Sequence, residues 1–260
     1  MASLIFSTKI APDLSLSIVL VSVTVSKAIF TIINKYFLMI ILTIFFFITA
    51  ILYSSIGFGG GSTYLALLLI WDVPYYIFPI LALICNIIVV SGNSINFLKT
   101  KNINLNLLYP YLIGSIPLAF IGASVSIDKH LFEILLFFIL ILAGIFLLIE
   151  SKSFNKKEIV VKKIPLVLSI LIGSIIGFIS GLVGIGGGIF LSPILFLMKA
   201  GFPKHISSTA SLFILVNSIF GVGGQLTKDI VINEFLNYWP LFIAVLIGGQ
   251  NWKFFKYKIP

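Results

Sequence analysis

Charged side chains fall at wide intervals along this chain, and the positions between them form long apolar blocks without alternation. Taking lysines, aspartates and glutamates as boundaries leaves charge-free blocks at 36–71, 73–98, 102–127, 134–149, 164–198, 205–227 and 235–252. Most reach the roughly 18–20 residues that cross about 30 Å of hydrocarbon as a helix. A soluble amphipathic helix would interleave polar positions, and a transmembrane β-barrel would alternate over roughly ten-residue segments. Neither pattern is present. The pattern predicts an all-α polytopic membrane protein, multi-pass in the cell membrane, and the composition agrees: 60% hydrophobic, 10% charged, mean hydropathy +1.20.

The two longest blocks are too long for one crossing. Residues 36–71 as a single helix, at 1.5 Å per residue, would measure about 54 Å, nearly twice the hydrocarbon thickness. Each long block carries a glycine cluster where the first span should end: GFGGGS at 57–62, and GIGGG at 184–188 after a span from Ile164 to Val183. Apolar residues then continue from Ser62 to Trp71 and from Ile189 to Met198. Each such run of about ten residues covers about 15 Å as a helix, or half the bilayer. Each cluster therefore joins a full span to a half-length helix, as a re-entrant hairpin or as a broken helix.

The clusters are related. Gly57, Gly59, Gly60 and Gly61 match Gly184, Gly186, Gly187 and Gly188 at an offset of 127 (184 − 57). The same offset recurs downstream, where Thr100-Lys101, Ile103, Asn106, Tyr111 and Gly122 match Thr227-Lys228, Ile230, Asn233, Tyr238 and Gly249. Internal duplication marks many secondary transporters, with the substrate site between the repeats. The expected organisation is an N-terminal extension (1–35) that holds an extra helix, an anchor or a signal-like segment, a first membrane repeat (36–150), a connecting loop (151–163) and a second repeat (164–260). Each repeat has about four spans. The last span of the second is expected to be missing, because the chain after Gly249 reads QNWKFFKYKIP, whereas the first repeat continues past Gly122 into Leu131–Ile149.

Charge adds orientation. The seventeen basic residues are all lysines, against eight acids, and they sit in loops rather than on a basic stripe, which argues against nucleic acid. The segment Ser151–Lys163 is lysine-rich and reads as cytoplasmic by the positive-inside rule. Counting single crossings puts Lys35, Lys99, Lys101 and Lys228 on that side, and Asp72, Ser126–His130 and Lys199–His205 on the other. On that count Lys253, Lys256 and Lys258 lie against the rule. The lone Cys85 forms no intrachain disulfide, and no Cys/His/Asp spacing suits a metal. No acid or base lies within a span to support intramembrane catalysis, so neither enzyme chemistry nor a cofactor is expected.

A span running into G-x-G-G-G, repeated once and followed after the second copy by a Ser/Thr-rich helix, resembles the TauE/SafE sulfite exporter family. The likeness covers roughly residues 37–250 and is most specific in GLVGIGGGIFLSPIL (181–195) and ISSTASL (206–212). It implies a transporter of about eight spans in two repeats, moving sulfite, an organosulfonate or a related carboxylate with the help of an ion gradient. The first half departs from that pattern: its counterpart to ISSTASL is YIFPILAL (76–83), which lacks the serine and threonine hydroxyls.

Physical chemistry points to an anion on separate grounds. A helix beginning inside the membrane leaves its first N–H groups without intrahelical acceptors and presents the positive end of its dipole. Glycines remove the side chains that would keep an oxyanion away. The candidate binding residues are therefore Gly57, Gly59, Gly60, Gly61, Gly184, Gly186, Gly187 and Gly188, with hydroxyls from Ser208 and Thr209. Asn86, Asn93, Asn217 and Gln225 are costly in lipid and are expected to face the bundle interior as pathway residues or interhelical bonds. The bland alternatives are close helix packing by the glycines and helix capping by the serines and threonine. A nucleotide loop does not fit, since no strand precedes the glycines and no GK[ST] follows. The expected partners are a small anion, a coupling ion and the lipid bilayer, with self-association left open. A non-transporting scaffold derived from such a transporter is the alternative.

Overall fold

The computed structural model describes residues 11–71, 73–99, 103–153, 161–162, 164–228 and 235–250. Asp72, Thr100, Lys101, Ile230, Asn233, most of the lysine-rich loop and residues 251–260 lie outside them. The α-helices are α1 (Ala11–Ile56), α2 (Gly61–Ile70), α3 (Phe78–Lys99), α4 (Leu105–Ser124), α5 (Lys129–Ser153), α6 (Leu166–Val183), α7 (Gly188–Leu197), α8 (Pro203–Gln225) and α9 (Trp239–Gln250), with a short 3-10 turn at Tyr75–Ile77. Among the described residues there is no strand. Within those same residues, five stretches are long and apolar enough to cross a membrane: Tyr36–Ile56, Tyr75–Lys99, Leu105–Ser124, Leu166–Val183 and Pro203–Gln225. The chain divides into two compact units, Met1–Leu42 and Thr43–Pro260. From Ala11 onward the N-terminal extension is part of α1. The second holds the remaining elements and the candidate site.

The glycine clusters interrupt the long blocks by backbone conformation. Gly60 (φ 83°) and Gly187 (φ 78°), the residues preceding α2 and α7, are left-handed, a conformation that costs other residues about 1–2 kcal/mol. Gly57 and Gly184, just after α1 and α6, are left-handed too. Both pairs stand at the offset of 127 seen in the sequence (187 − 60), and α2 and α7 are each ten residues long.

Both breaks are hairpins. The tyrosine hydroxyl of Tyr53 lies 2.8 Å from Thr63 Oγ1, and Trp71 packs edge-on against Phe45 with ring centroids 5.5 Å apart. α2 therefore doubles back along α1. In the second half, the N–H of Lys162, before α6, donates to the carbonyl of Lys199, after α7, at 3.0 Å. The chain thus enters and leaves the α6–α7 hairpin at one end, which resolves the choice left open by the sequence.

Helix directions follow from the contacts. Gly173, Gly177 and Gly181 of α6 meet Tyr111, Ser115 and Ala119 of α4 in rising order, so these two helices run parallel. Leu83 meets Gly221 while Ser94 meets Ser211, so α3 and α8 run antiparallel. Gly224 abuts Phe120 and Ala123, bringing the C-terminal ends of α8 and α4 together. α3 consequently begins at the end where α8 finishes, and the two hairpins open toward opposite ends of this unit. Two expectations from loop charges are corrected. The turn Lys199–His205 shares an end with Lys162 instead of opposing it, and Lys228 lies at the other end, where partial burial lowers the pKa of its ammonium. The counting failed because each hairpin was scored as one crossing when it returns to its own side. Cysteines placed singly at Lys162 and Lys199 are expected to react with an impermeant maleimide from one face, and one at Lys228 from the other; Cys85 is buried and silent. Labelling of all three from the same face would overturn this topology.

The α4–α6 seam is the closest helix contact. A Cβ at Gly177 would lie 2.5 Å from Ser115 O, and one at Gly114 would lie 2.5 Å from Ser174 Oγ. Small residues let backbones approach in lipid, where dispersion and packing replace the hydrophobic drive between helices. Elsewhere the helix ends are closed by ordinary caps. Asn104 Oδ1 accepts from Leu107 N–H at 3.3 Å, Asp128 Oδ1 accepts from Leu131 N–H at 2.9 Å, and Pro203 opens α8.

Candidate functional site

The two glycine turns meet in the interior, and Asn86 of α3 stands between them. Its Nδ2 donates to the carbonyl of Ile185, in the second turn, at 3.0 Å. A Cβ at Gly61, in the first turn, would lie 2.5 Å from Asn86 Nδ2 and 2.6 Å from Ile185 O. A Cβ at Gly186 would lie 2.9 Å from both Asn86 Nδ2 and Ser218 Oγ of α8. Gly61 and Gly186 thus form a close-packed cradle around the Asn86 amide, walled by the Ser218 hydroxyl and the two turns, with no room for a side chain at either glycine. Gly59 also sits directly against Asn86.

Two helices begin at this point. The first intrahelical bond of α2 is Tyr64 N–H to Gly60 O, at 3.0 Å, so the amides of Gly61, Ser62 and Thr63 precede any intrahelical acceptor. In α7 the first such bonds run from Phe190 and Leu191 to Gly187 O, which leaves Gly188 and Ile189 ahead of them. Each helix start carries about half a positive charge. Every buried polar side chain among the described residues is neutral, Asn86, Ser180, Ser218 and Gln225 included. The positive potential at the cradle therefore comes from the backbone. Asn86 Oδ1 and Ser218 Oγ are both fully buried and make no hydrogen bond among the described residues. Unsatisfied buried polar atoms of this kind call for an explanation.

The other sequence candidates are distributed around this centre. Gly57 faces Phe97, Gly60 packs on Thr49 and Tyr53, and Gly184 packs on Pro79. Gly187 fits among Ile176, Phe213 and Ser180, and Gly188 against Ile214 and Ala210. These five shape the turns, whereas Gly59, Gly61 and Gly186 face the Asn86 amide. Asn93 Nδ2 donates to Ser54 O at 3.0 Å and ties the end of α1 to α3. Asn217 Nδ2 donates to Phe213 O of its own helix at 2.9 Å, with its Oδ1 unpartnered. Ser208 Oγ donates to His205 O at 2.9 Å; Thr209 is buried with an unpartnered hydroxyl, and the same holds for both polar atoms of Gln225. Nine residues of helix separate Thr209 from Ser218, about 14 Å along the axis, so the serine-threonine run and the cradle are different levels of α8. Ser218 was missed by sequence reasoning. One turn beyond Ile214, it reaches Gly186, but nothing in the sequence distinguished it from other serines of apolar helices.

The family model for the sulfite exporter TauE/SafE matches residues 41–250 of this chain. A probable membrane transporter protein of Sinorhizobium fredii is 29% identical over 212 residues, covering 80% of this chain and 84% of the relative. Another from Methanocaldococcus jannaschii is 33% identical over 203 residues, covering 70% of each, and one from Bacillus subtilis is 26% identical over 207 residues, covering 70% and 76%. No solved structure matches this chain.

Proposed function

We propose that this chain, which belongs to the TauE/SafE sulfite exporter family and is a multi-pass membrane protein, carries a small anion across the bilayer by binding it where the two hairpin tips meet. The observation that carries this reading is the head-to-head start of α2 and α7 on either side of the buried, neutral Asn86 amide, where Gly61 and Gly186 let the two turns approach closely. Irregular backbone at membrane depth is tolerated where it is buried in protein or lines a cavity, and two converging N-termini suit an oxyanion without any cationic side chain. The substrate class is sulfite, an organosulfonate or a related small carboxylate, and the direction is outward, in keeping with the description of the matched family. Residues 36–150 and 164–260 are read as two copies of one unit in opposed orientation. The coincidence of hairpin ends, left-handed glycines and half-helix lengths at one offset supports that reading, as does the odd number of helices (α3, α4 and α5) between the hairpins.

Proteoliposomes loaded with labelled sulfite, sulfonates and carboxylates test it. Efflux of at least one of them is the expected result; no movement of any anion, with correctly inserted protein, would leave the scaffold reading in its place. Within that assay Ser218→Ala is expected to weaken apparent affinity about fivefold to tenfold, the worth of one buried neutral hydrogen bond. An unchanged half-saturation concentration would remove Ser218 from the site.

A further inference from the structure

We propose that substrate reaches the hairpin tips along the α3–α8 seam, which parts from the face carrying Lys199, and that Ser94, Ser211 and Ser218 line the way in; the proposal rests on the transport reading above. The grouping of the helices is the first ground. α9 belongs to the second half of the chain but packs on the first: Gly248 abuts Phe47 and Ala50 near the end of α1, Gly249 abuts Val89 of α3, and Gln250 Nε2 donates to Ile88 O at 3.5 Å. α4 makes the reciprocal exchange, packing on α6 and on the end of α8. One group therefore holds the end of α1 with α2, α3 and α9, and the other holds α4, α6, α7 and α8. The groups meet along α3 and α8 and at the hairpin tips. Those tips leave no room for a side chain at Gly61 or Gly186, so an anion binds there only after the groups move apart.

The second ground is the chemistry of the seam. Leu83 lies against Gly221, Asn86 stands level with Ser218, and Ser94 faces Ser211, so Ser211 and Ser218 lie two turns apart on the stripe of α8 that meets α3. Polar side chains hold helices together in lipid when they bond across a seam. Here the Ser94 and Ser211 hydroxyls stand 3.4 Å apart, beyond the usual spacing of about 2.7–2.8 Å, and Ser218 Oγ is unpartnered among the described residues. Closure desolvates these hydroxyls for little return, and water entering as the seam parts restores their hydrogen bonds. The α4–α6 seam also buries an unpaired hydroxyl, Ser115, but glycines there press on main chain at several levels. The two ends of the α3–α8 seam differ in the same way. Where α3 begins, Gly184 seats on the Pro79 main chain, and Phe78 packs edge-on against Phe132 of α5 with centroids 5.8 Å apart. At the other end Ser94 and Ser211 approach through side chains. Side chains separate without unseating packed main chain, so the seam parts from that end, the one where α8 begins after the Lys199 turn.

The experiment combines Ser94→Cys with Ser211→Cys in a Cys85→Ala background, in proteoliposomes loaded with the panel anion that the wild-type protein moves best. The two sulfurs replace hydroxyls 3.4 Å apart and are placed to bridge. Oxidation is expected to slow efflux by on the order of a hundredfold relative to the same protein reduced, with recovery on adding dithiothreitol. Undiminished efflux from fully bridged protein overturns the proposal and leaves anion transport standing. Ser218→Cys in the same background is read by labelling alone, so it decides the matter even if the double variant is inactive. Ser218 is fully buried in this structure, and the cysteine is expected to react with an impermeant thiosulfonate from the face that labels Lys199→Cys. No reaction, or reaction from the opposite face only, overturns the proposal. Wild-type protein that moves no anion of the panel overturns the transport reading and this proposal together.

Discussion

Leucine at Gly187 is expected to abolish anion movement, by on the order of a hundredfold or more, while the protein still inserts and remains monodisperse. At Gly187 the backbone is left-handed (φ 78°) and a Cβ would lie 2.8 Å from Ile176 Cγ2 and 3.0 Å from Phe213 Cε1. Left-handed strain of about 1–2 kcal/mol and overpacking of about 1–3 kcal/mol together fall below the roughly 5–15 kcal/mol that holds a typical fold. The turn moves and the fold survives. Efflux measured beside size-exclusion profiles checks this, and wild-type transport by this variant would take the second glycine turn out of the site.

The opposite outcome is expected at the α4–α6 seam, where Gly177→Leu should cost the folded protein itself. A Cβ at Gly177 meets the Ser115 backbone at 2.5–2.6 Å, and Gly173 and Gly181 press equally on the backbones of Tyr111 and Ala119. Rotamer changes cannot relieve a clash with main chain, so the helices must separate along the seam and lose dispersion contacts over several turns. The expected result is loss of the monodisperse peak and of thermal stability in detergent. Gly144→Leu in α5 is the control, since nothing lies within 4 Å of a Cβ there. A Gly177 variant as stable as the Gly144 variant would show that the seam does not hold the bundle together.

Much of this was legible in the residues. The apolar blocks, the half-length runs after each cluster and the offset of 127 anticipated α1 ending at Ile56, α6 ending at Val183, and α2 and α7 of ten residues each. These features are local: an apolar run in lipid must satisfy its backbone internally, and a glycine cluster is where that helix can stop. Asn86 was noticed only as an interior polar residue, and Ser208 and Thr209 drew more weight than Ser218 because they sit in a hydroxyl-rich run. The cradle was not legible, for it joins Gly61, Asn86, Ile185, Gly186 and Ser218 from four separate segments.

The side of the lysine turn at Lys199 was misread for a related reason. Charge counting assumes that every break advances the chain across the membrane, and a hairpin does not. The amino-acid sequence by itself determined that this protein lives in a bilayer, where its helices break, and that it belongs with a family of membrane transporters, because each follows from composition, local backbone preference or likeness along the chain. Only the tertiary structure decided that the breaks are hairpins opening toward opposite ends, and that their tips meet at one asparagine. Those facts depend on contacts between residues about a hundred positions apart, such as Asn86 with Ile185, which close packing creates and no local pattern records.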